Sequence, residues 1–409
     1  MGKNNEGKII KDPVHGFMDL NSLQVDLLSQ PELQRMTWVK QLGLGVLIYP
    51  GGHQTRLEHC LGTSYLCKMI SEKLGLPEDE KSLLEAAGIL HDIGHPPFSH
   101  SIEEVMERNH MEATKDLIVG EEKLDMEGSG RIPEILDEYG IDPKDVADLV
   151  TGRFSGKGYL QDIISSQMDA DQLDYLARDA HHTGVSYGSI ETGWIINVMR
   201  VNEGRLTYLE KGIDGLEDCI LARDHMYSSV YCHKTTSIAE KMLLRAVERH
   251  LEEDNGDGVF WMTDGELLET LYSSNPFSKE IVRRLRSREL YKRAFAVKDI
   301  EETENTKRLK ELIEGCEKDI ERDLIDITGL DDGEIIVNRQ ARLTKNLEPR
   351  LREFDIRITM ESGEVVPLES ISKTVASLKK REPVRDIFSV YTPEEHRSRV
   401  SEAVKSYVK

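Results

Sequence analysis

The segment AAGILHDIGHPPFSH, residues 86–100, concentrates the side chains of this 409-residue chain that are best suited to chemistry. An apolar helical run ends at His91-Asp92, and Gly94, Pro96 and Pro97 then force the chain to turn. Neighbouring residues on a helix point about 100° apart, so an adjacent imidazole and carboxylate can share one ion only at a helix terminus. His95 and His100 follow within the same turn, and His110 lies one short helix later. As mere core packing such a cluster is costly, because every buried ring needs a polar partner. Upstream, GGHQTRLEHCLG spaces His53, Arg56 and His59 by three, which on a helix would stack them on roughly one face. Downstream, SSQMDADQLDYLARDAHHTG contributes Asp169, Asp171, Asp174 and Asp179 with His181 and His182. Nitrogen and carboxylate ligands without thiolate suit a hydrolytic Fe, Mn, Zn or Mg ion more than a structural zinc. Such an ion polarises a substrate oxygen and acidifies a water, while histidines titrating near neutrality can act as acid or base.

Mostly helices must carry these groups. Apolar residues recur at helical spacing over 63–74, 82–91, 132–139, 145–150, 172–180 and 215–251, the last with a break near Tyr231. VMRV-NEG-RLTYL at 198–209 reads as a hairpin, and 120–130 reads as a polar loop. DPVHGFMDL at 12–20 opens with Asp-Pro and reads as an irregular or short extended lead-in. A charged helical pattern covers 300–325; DDGEIIVNRQ and REFDIRITMESGEVVPL then bring β-alternation, and an amphipathic helix follows Thr392-Pro393. The expected architecture is mainly α: a helical core over 1–330, with its metal-binding region at about 45–185, and a small α+β C-terminal region over 331–409.

Composition removes several function classes. Hydrophobic residues make up 38% and charged residues 31%, with a mean hydropathy of −0.46, as in a charged-surface globular protein. No apolar run approaches the roughly 20 residues that span a bilayer. The N-terminus lacks the apolar stretch of a signal peptide, so the expectation is a cytoplasmic protein without a membrane partner. Five cysteines without a CxxC pair argue against a disulfide framework and a thiolate zinc site. A net charge of −22 repels a phosphate backbone, which disfavours nucleic acid. The local basic run at 283–293, RRLRSRELYKR, reads as a solvated helix face or subunit contact.

The pattern H…HD…D is the signature of HD-domain phosphohydrolases. DPVHGF, QRMTWVKQLG, TRLEHCLG, HDIGHPPFSH, DADQLDYLARDAHH and YCHK occur in the order seen in that superfamily's deoxynucleoside triphosphate triphosphohydrolases, over roughly residues 8–240 and more faintly at 287–293. The chain resembles that family, and the resemblance implies an HD-domain helical core that hydrolyses (deoxy)nucleoside triphosphates to nucleoside and triphosphate. It puts the divalent metal on His59, His91, Asp92 and Asp171. Catalytic roles fall on His95, His110, His100 and Glu103, where the family's Asp is replaced by the longer Glu. Substrate contacts fall on Arg56 and Arg223 for phosphate, on Tyr175, Asp179 and Tyr231 for the sugar, and on Gln41 and Leu42 for its 3′ edge. A regulatory nucleotide would use Lys8, Gln34, Lys234 and Arg288, although the family's guanine-reading Asp and Arg are Ser29 and Thr37 here. A further phosphate-gripping Lys of the family is Gln172, and a base-contacting Gln is Cys232. Loss of that Lys weakens triphosphate binding or favours a shorter phosphate chain, so the alternatives are a monophosphate, diphosphate or cyclic phosphodiester substrate, or a non-catalytic nucleotide sensor. The resemblance also implies a homo-oligomer, a dimer or tetramer.

Overall fold

The computed structural model describes residues 7–253, 256, 258–298, 316–339, 355–380 and 386–408, and helices dominate them. Those that position the site are α1 (Arg56–Leu74), α2 (Glu78–Leu90), α3 (His100–Met106), α4 (His110–Val119) and α5 (Ala170–Thr183), with α6 (Ile213–Met226) and α7 (Lys234–Glu253) further on. Local chemistry sets their ends. Thr55 and Glu58 form a reciprocal capping box at the start of α1, and Gly75 closes it at φ 65°. Because the helix begins at Arg56, His53 precedes it and does not share a helical face with Arg56 and His59. Glu78, Asp79 and Glu80 crowd the first turn of α2, where the helix dipole favours negative charge, and the helix ends against His91. Asp169 caps α5 by accepting from the Gln172 N–H.

Glycines at two crossings bring these helices together. A Cβ at Gly88 of α2 would lie 2.8 Å from the Ser64 Cα of α1, and one at Gly62 of α1 would overlap the Asp174 carboxylate of α5. Close packing around Leu66, Ile70, Leu84, Ile89, Leu90, Leu173 and Leu176, all buried, holds His59, His91 and Asp171 at neighbouring helix positions.

Strands play a smaller part. β1 (Lys8–Asp12) and β2 (Gly16–Leu20) form an antiparallel hairpin, so of the irregular or short extended lead-in expected at 12–20 the extended form is the one present. Asp12 Oδ1 accepts from the Val14 and His15 N–H groups at 2.8 Å and shapes the turn. The expected hairpin at 198–209 is present as β3 (Met199–Asn202) and β4 (Arg205–Leu209). β5 (Lys292–Lys298) and β6 (Ile336–Asn338) both pair with β9 (Asp386–Thr392). β7 (Arg357–Thr359) runs parallel to β4, and β8 (Val365–Pro367) completes that sheet.

The chain forms two compact units: Met1–Tyr231 with Asp257–Leu267 and Glu353–Lys379, and Cys232–Gly256 with Leu268–Arg352 and Lys380–Lys409. The chain passes repeatedly between the units. The first unit holds the large helical core. In the second, Ile320, Leu324, Val337, Phe388, Val390, Val400 and Val404 form a smaller one. No described helix is long and apolar enough to cross a membrane.

Candidate metal centre and active site

At the convergence of α1, the end of α2 and α5, His59 Nε2 lies 3.0 Å from Asp171 Oδ1 and 3.8 Å from Asp92 Oδ2. It is also 3.1 Å from His91 Nε2, which in turn is 3.5 Å from Asp92 Oδ1 and 3.8 Å from Asp171 Oδ1. Metal–ligand bonds of about 2.1 Å at right angles set adjacent donors about 3.0 Å apart, so this donor set fits a single divalent ion. The imidazoles are already turned for the task. His59 Nδ1 bonds Asp174 Oδ2 at 2.8 Å and His91 Nδ1 bonds the Gly88 carbonyl at 2.8 Å, which leaves both Nε2 atoms facing the centre. Burial opposes the charged form of His59, yet Asp171 and Asp174 outweigh it and push its pKa up to about 10. Such a negative field is one that a cation satisfies.

Behind His59 lies an ionic cluster, centred on the buried Asp174 and Arg178, that sequence reading did not identify. Asp174 takes Arg178 Nε and Nη2 at 2.9 Å each and His15 Nε2 at 2.6 Å, and Arg178 Nη1 reaches Asp12 Oδ2 at 2.7 Å. Burial alone would raise the Asp174 carboxyl; the Arg178 charge and the two histidine bonds hold it well below the usual range. The signals were present, in the Asp-Pro-Val-His turn and in an Asp and Arg four apart on α5. Only the fold shows that they meet.

On the far side of Asp92, the His95 and His110 rings stack at 3.9 Å with an interplanar angle of 14°. His95 Nε2 is 3.2 Å from Asp92 Oδ1, and His110 Nδ1 is 2.8 Å from Glu103 Oε1. Asp92, His95 and His110 thus form a second group of ligand-type atoms sharing Asp92 with the first. Burial, reinforced by the nearby Arg56 and His110 charges, drives the His95 pKa well below the ordinary histidine value. His100 begins α3, but its side chain lies outside the described residues.

Among the expected phosphate residues, Arg56 is buried and pairs through Nη1 with Asp92, while Nε and Nη2 donate to Ser99 Oγ at 3.0 and 2.6 Å. The guanidinium therefore steadies Asp92 as well as facing the site. The residues expected to contact a sugar lie on α5 and at the π-helical stretch Tyr227–Tyr231. Tyr231 donates its hydroxyl to Asp179 Oδ2 at 2.8 Å, Gln54 Nε2 donates to Asp179 Oδ1 at 2.8 Å, and the Tyr175 and Tyr231 rings meet edge-on at 6.2 Å. Burial lifts the Asp179 pKa to about 6, against the hydrogen bonds from Tyr231 and Gln54. Arg223 Nη1 bonds Gln167 Oε1 at 3.1 Å. Gln41 Oε1, Gln54 Oε1 and Arg223 Nε are buried without a partner among the described residues, as polar atoms awaiting a ligand would be. Leu42 is half-buried against the core.

Gln172 departs from its expected surroundings. It is buried, with its amide 3.9 Å from Met168 Sδ and beside Cys219, so the side chain turns into the core. The expected regulatory residues divide between the units. Lys8 lies on β1 and Gln34 donates to the Leu28 carbonyl at 2.7 Å. Lys234 and Arg288 line a cavity of about 290 Å³ in the second unit with Tyr291, Lys292, Arg293 and Arg397.

The HD-domain model matches residues 56–179, and the HD-associated-region model matches residues 190–409. An uncharacterised protein of Bacillus subtilis is 37% identical over 254 residues, covering 61% of this chain and 57% of its own length. One from Methanocaldococcus jannaschii is 29% identical over 404 residues, covering 95% and 80%. The human deoxynucleoside triphosphate triphosphohydrolase SAMHD1 is 28% identical over 344 residues, covering 70% and 54%. The chain thus spans little more than half the length of the Bacillus and human relatives. Among solved structures, a hypothetical protein from Aquifex aeolicus shares the fold at TM-score 0.76, with 24% identity over 98% of this chain and 100% of its own. A phosphohydrolase from Bacteroides thetaiotaomicron aligns at TM-score 0.71, with 26% identity over 94% of this chain and 99% of its own. An HD motif whose ligand atoms converge, continued by the associated region over more than half of the sequence, means that the chain belongs to the HD-domain phosphohydrolases, in the part of the family that resembles the deoxynucleoside triphosphate triphosphohydrolases.

Proposed function

We propose that this protein is a metal-dependent hydrolase of (deoxy)nucleoside triphosphates, releasing nucleoside and inorganic triphosphate. The observation that carries this reading is the juxtaposition of a four-residue ligand set, His59, His91, Asp92 and Asp171, with a stacked His95–His110 pair that shares Asp92. A bound divalent ion would supply Lewis acidity and lower the pKa of a water to roughly 7. The chain's own groups do the rest. Glu103 accepts from His110 Nδ1 and stabilises a protonated ring, so His110 is assigned as the acid for the departing sugar oxygen. His95, held neutral by burial and adjacent positive charge, orients water. Arg56 and Arg223 neutralise phosphate oxygens, and Asp179 with Tyr231 and Tyr175 seats the sugar against Gln41 and Leu42.

A shorter phosphate chain is the second reading, supported by the replacement, at Gln172, of the phosphate-gripping lysine that the family resemblance implies. The basic cavity around Lys234 and Arg288 supports a regulatory nucleotide, bound by a cytoplasmic homo-oligomer. The deciding experiment incubates the metal-loaded protein with each nucleotide, singly and in mixtures, and identifies products by anion-exchange chromatography. Nucleoside plus triphosphate establishes the first reading; monophosphate cleavage alone replaces it with the second. Binding without turnover makes the protein a sensor.

A further inference from the structure

One carboxylate ties together two otherwise separate stretches of main chain behind the turn that follows His91-Asp92. Asp264 is buried; its Oδ1 accepts from the Phe98 N–H at 2.8 Å and its Oδ2 from the Lys40 N–H at 3.1 Å. It opens helix α8 (Asp264–Ser274), but that helix is capped by its neighbours. Thr263 N–H donates to Glu266 Oε2 at 2.7 Å, and Thr263 Oγ1 accepts from the Glu266 N–H at 3.3 Å. The Asp264 carboxylate is thereby left to serve the turn.

That turn is strained where it matters. Phe98 has φ 53°, and Ser99 has φ 58° with ψ −135°. Consecutive side-chain-bearing residues in glycine's territory persist only where their surroundings over-determine them. Ser99 Oγ is the acceptor for Arg56 Nε and Nη2. The second stretch held by Asp264 grips the same arginine from its backbone: the Arg56 N–H donates to the Val39 carbonyl at 2.9 Å, and the Gln41 N–H to the Gln54 carbonyl at 3.0 Å. A Cβ at Gly43 would lie 3.7 Å from the Phe98 Cα, so the two stretches also touch.

We propose that Asp264 is a positioning residue for polyphosphate binding, acting through Phe98–Ser99 and Lys40–Gln41 to aim the Arg56 guanidinium. The inference rests on the nucleotide phosphohydrolase reading and adds to it a residue that never touches substrate. Asparagine at this position keeps one carbonyl acceptor but turns an amide donor toward the other main-chain N–H, so one stretch is released.

The test uses the full chain loaded with Mn²⁺, titrated calorimetrically with inorganic tripolyphosphate. Asp264→Asn and Ser99→Ala are expected to weaken binding tenfold or more while metal content stays at the wild-type level. Glu266→Ala, which removes the side-chain half of the helix cap, is expected to lower the melting temperature yet bind tripolyphosphate within twofold of wild type. Wild-type affinity in Asp264→Asn overturns the inference, as does an equal loss in Glu266→Ala, since general destabilisation would then suffice. If Asp264→Asn does not fold, Ser99→Ala decides: unchanged affinity refutes the route through Ser99, and a tenfold loss supports it. A wild-type protein that neither binds tripolyphosphate nor hydrolyses any nucleotide overturns the functional reading and this inference together.

Discussion

Asp174→Asn separates the metal-orienting role of the buried carboxylate from its structural one. Asp174 accepts from His59, from His15 and twice from Arg178, whereas asparagine offers one acceptor oxygen and presents an NH2 to the remaining donors. Arg178 keeps Asp12 at 2.7 Å, so the metal-free protein is expected to lose about 3 kcal/mol, the low end for breaking a buried ion pair. Loss of the His59 Nδ1 partner should weaken metal binding by roughly 10- to 100-fold. Metal at a hundred times the wild-type dissociation constant stabilises the wild type by about 2.7 kcal/mol. At that same concentration, the weaker variant should gain only about 0.4 to 1.4 kcal/mol. Urea denaturation of chelated and Mn²⁺-loaded protein measures both differences. A full metal-induced gain in Asp174→Asn, beside a destabilised metal-free state, would show that the cluster only supports the fold and that His59 needs no orienting partner.

Removing a ligand should act differently from removing an acid. His91→Ala and Asp171→Ala are each expected to lose bound metal and hydrolysis together, by elemental analysis and product assay, and full turnover with stoichiometric metal would disprove the assignment. His110→Ala should retain the metal and slow turnover by roughly 10²- to 10⁴-fold; a wild-type rate would make it a bystander. Asp179 has a folded pKa of about 6 against a reference of 3.8, so the fold prefers its protonated form. That preference stabilises fully below the reference value and is lost as pH rises through about 6, which places an ionisation cost of up to about 3 kcal/mol on the protein at pH 8. Asp179→Asn, whose new amide can donate to the unpartnered Gln54 Oε1, should therefore be more stable than wild type at pH 8, with little gain at pH 4, and bind nucleotide more weakly. Equal stability differences at both pH values in urea melts would refute this account.

The candidate site was legible where its chemistry is written into short segments. His91-Asp92 sits at the end of α2 because glycine and proline follow it, and Asp171 lies in the first turn of α5 just after its Asp169 cap. The hairpin at 198–209 announced itself through alternation around Asn-Glu-Gly. The helix spacing that grouped His53 with Arg56 and His59 failed because it ignored the Thr55-x-x-Glu58 capping box, which fixes the start of α1 after His53. The charged pattern at 300–325 falls largely on residues 299–315, outside the described ones, and continues as the helix Glu317–Thr328. The turn at Asp12–His15 and the Asp174–Arg178 pair four apart are local signals, but nothing local says that these two segments meet, and nothing local marks Asp264. The close crossing at Gly62, where a Cβ would overlap Asp174, leaves the room that the carboxylate occupies.

Gln172 shows where reading a substitution from sequence is weakest. A neutral residue in place of a phosphate-gripping lysine suggests a changed preference for phosphate-chain length, and restoring lysine would then strengthen triphosphate binding. In the folded protein the side chain packs against Met168 beside Cys219 and is almost wholly buried. An ammonium there would first have to be desolvated, at a cost that opposes any attraction to substrate unless α5 rotates or the side chain swings out. The cationic contacts nearest to hand are instead Arg56, bound to Asp92 and Ser99, and Arg223, whose Nε lacks a partner among the described residues. On the proposed function, phosphate-chain preference is expected to follow how those two guanidiniums are aimed, so Ser99 and Gln167, which contact them, are better places to test it than position 172.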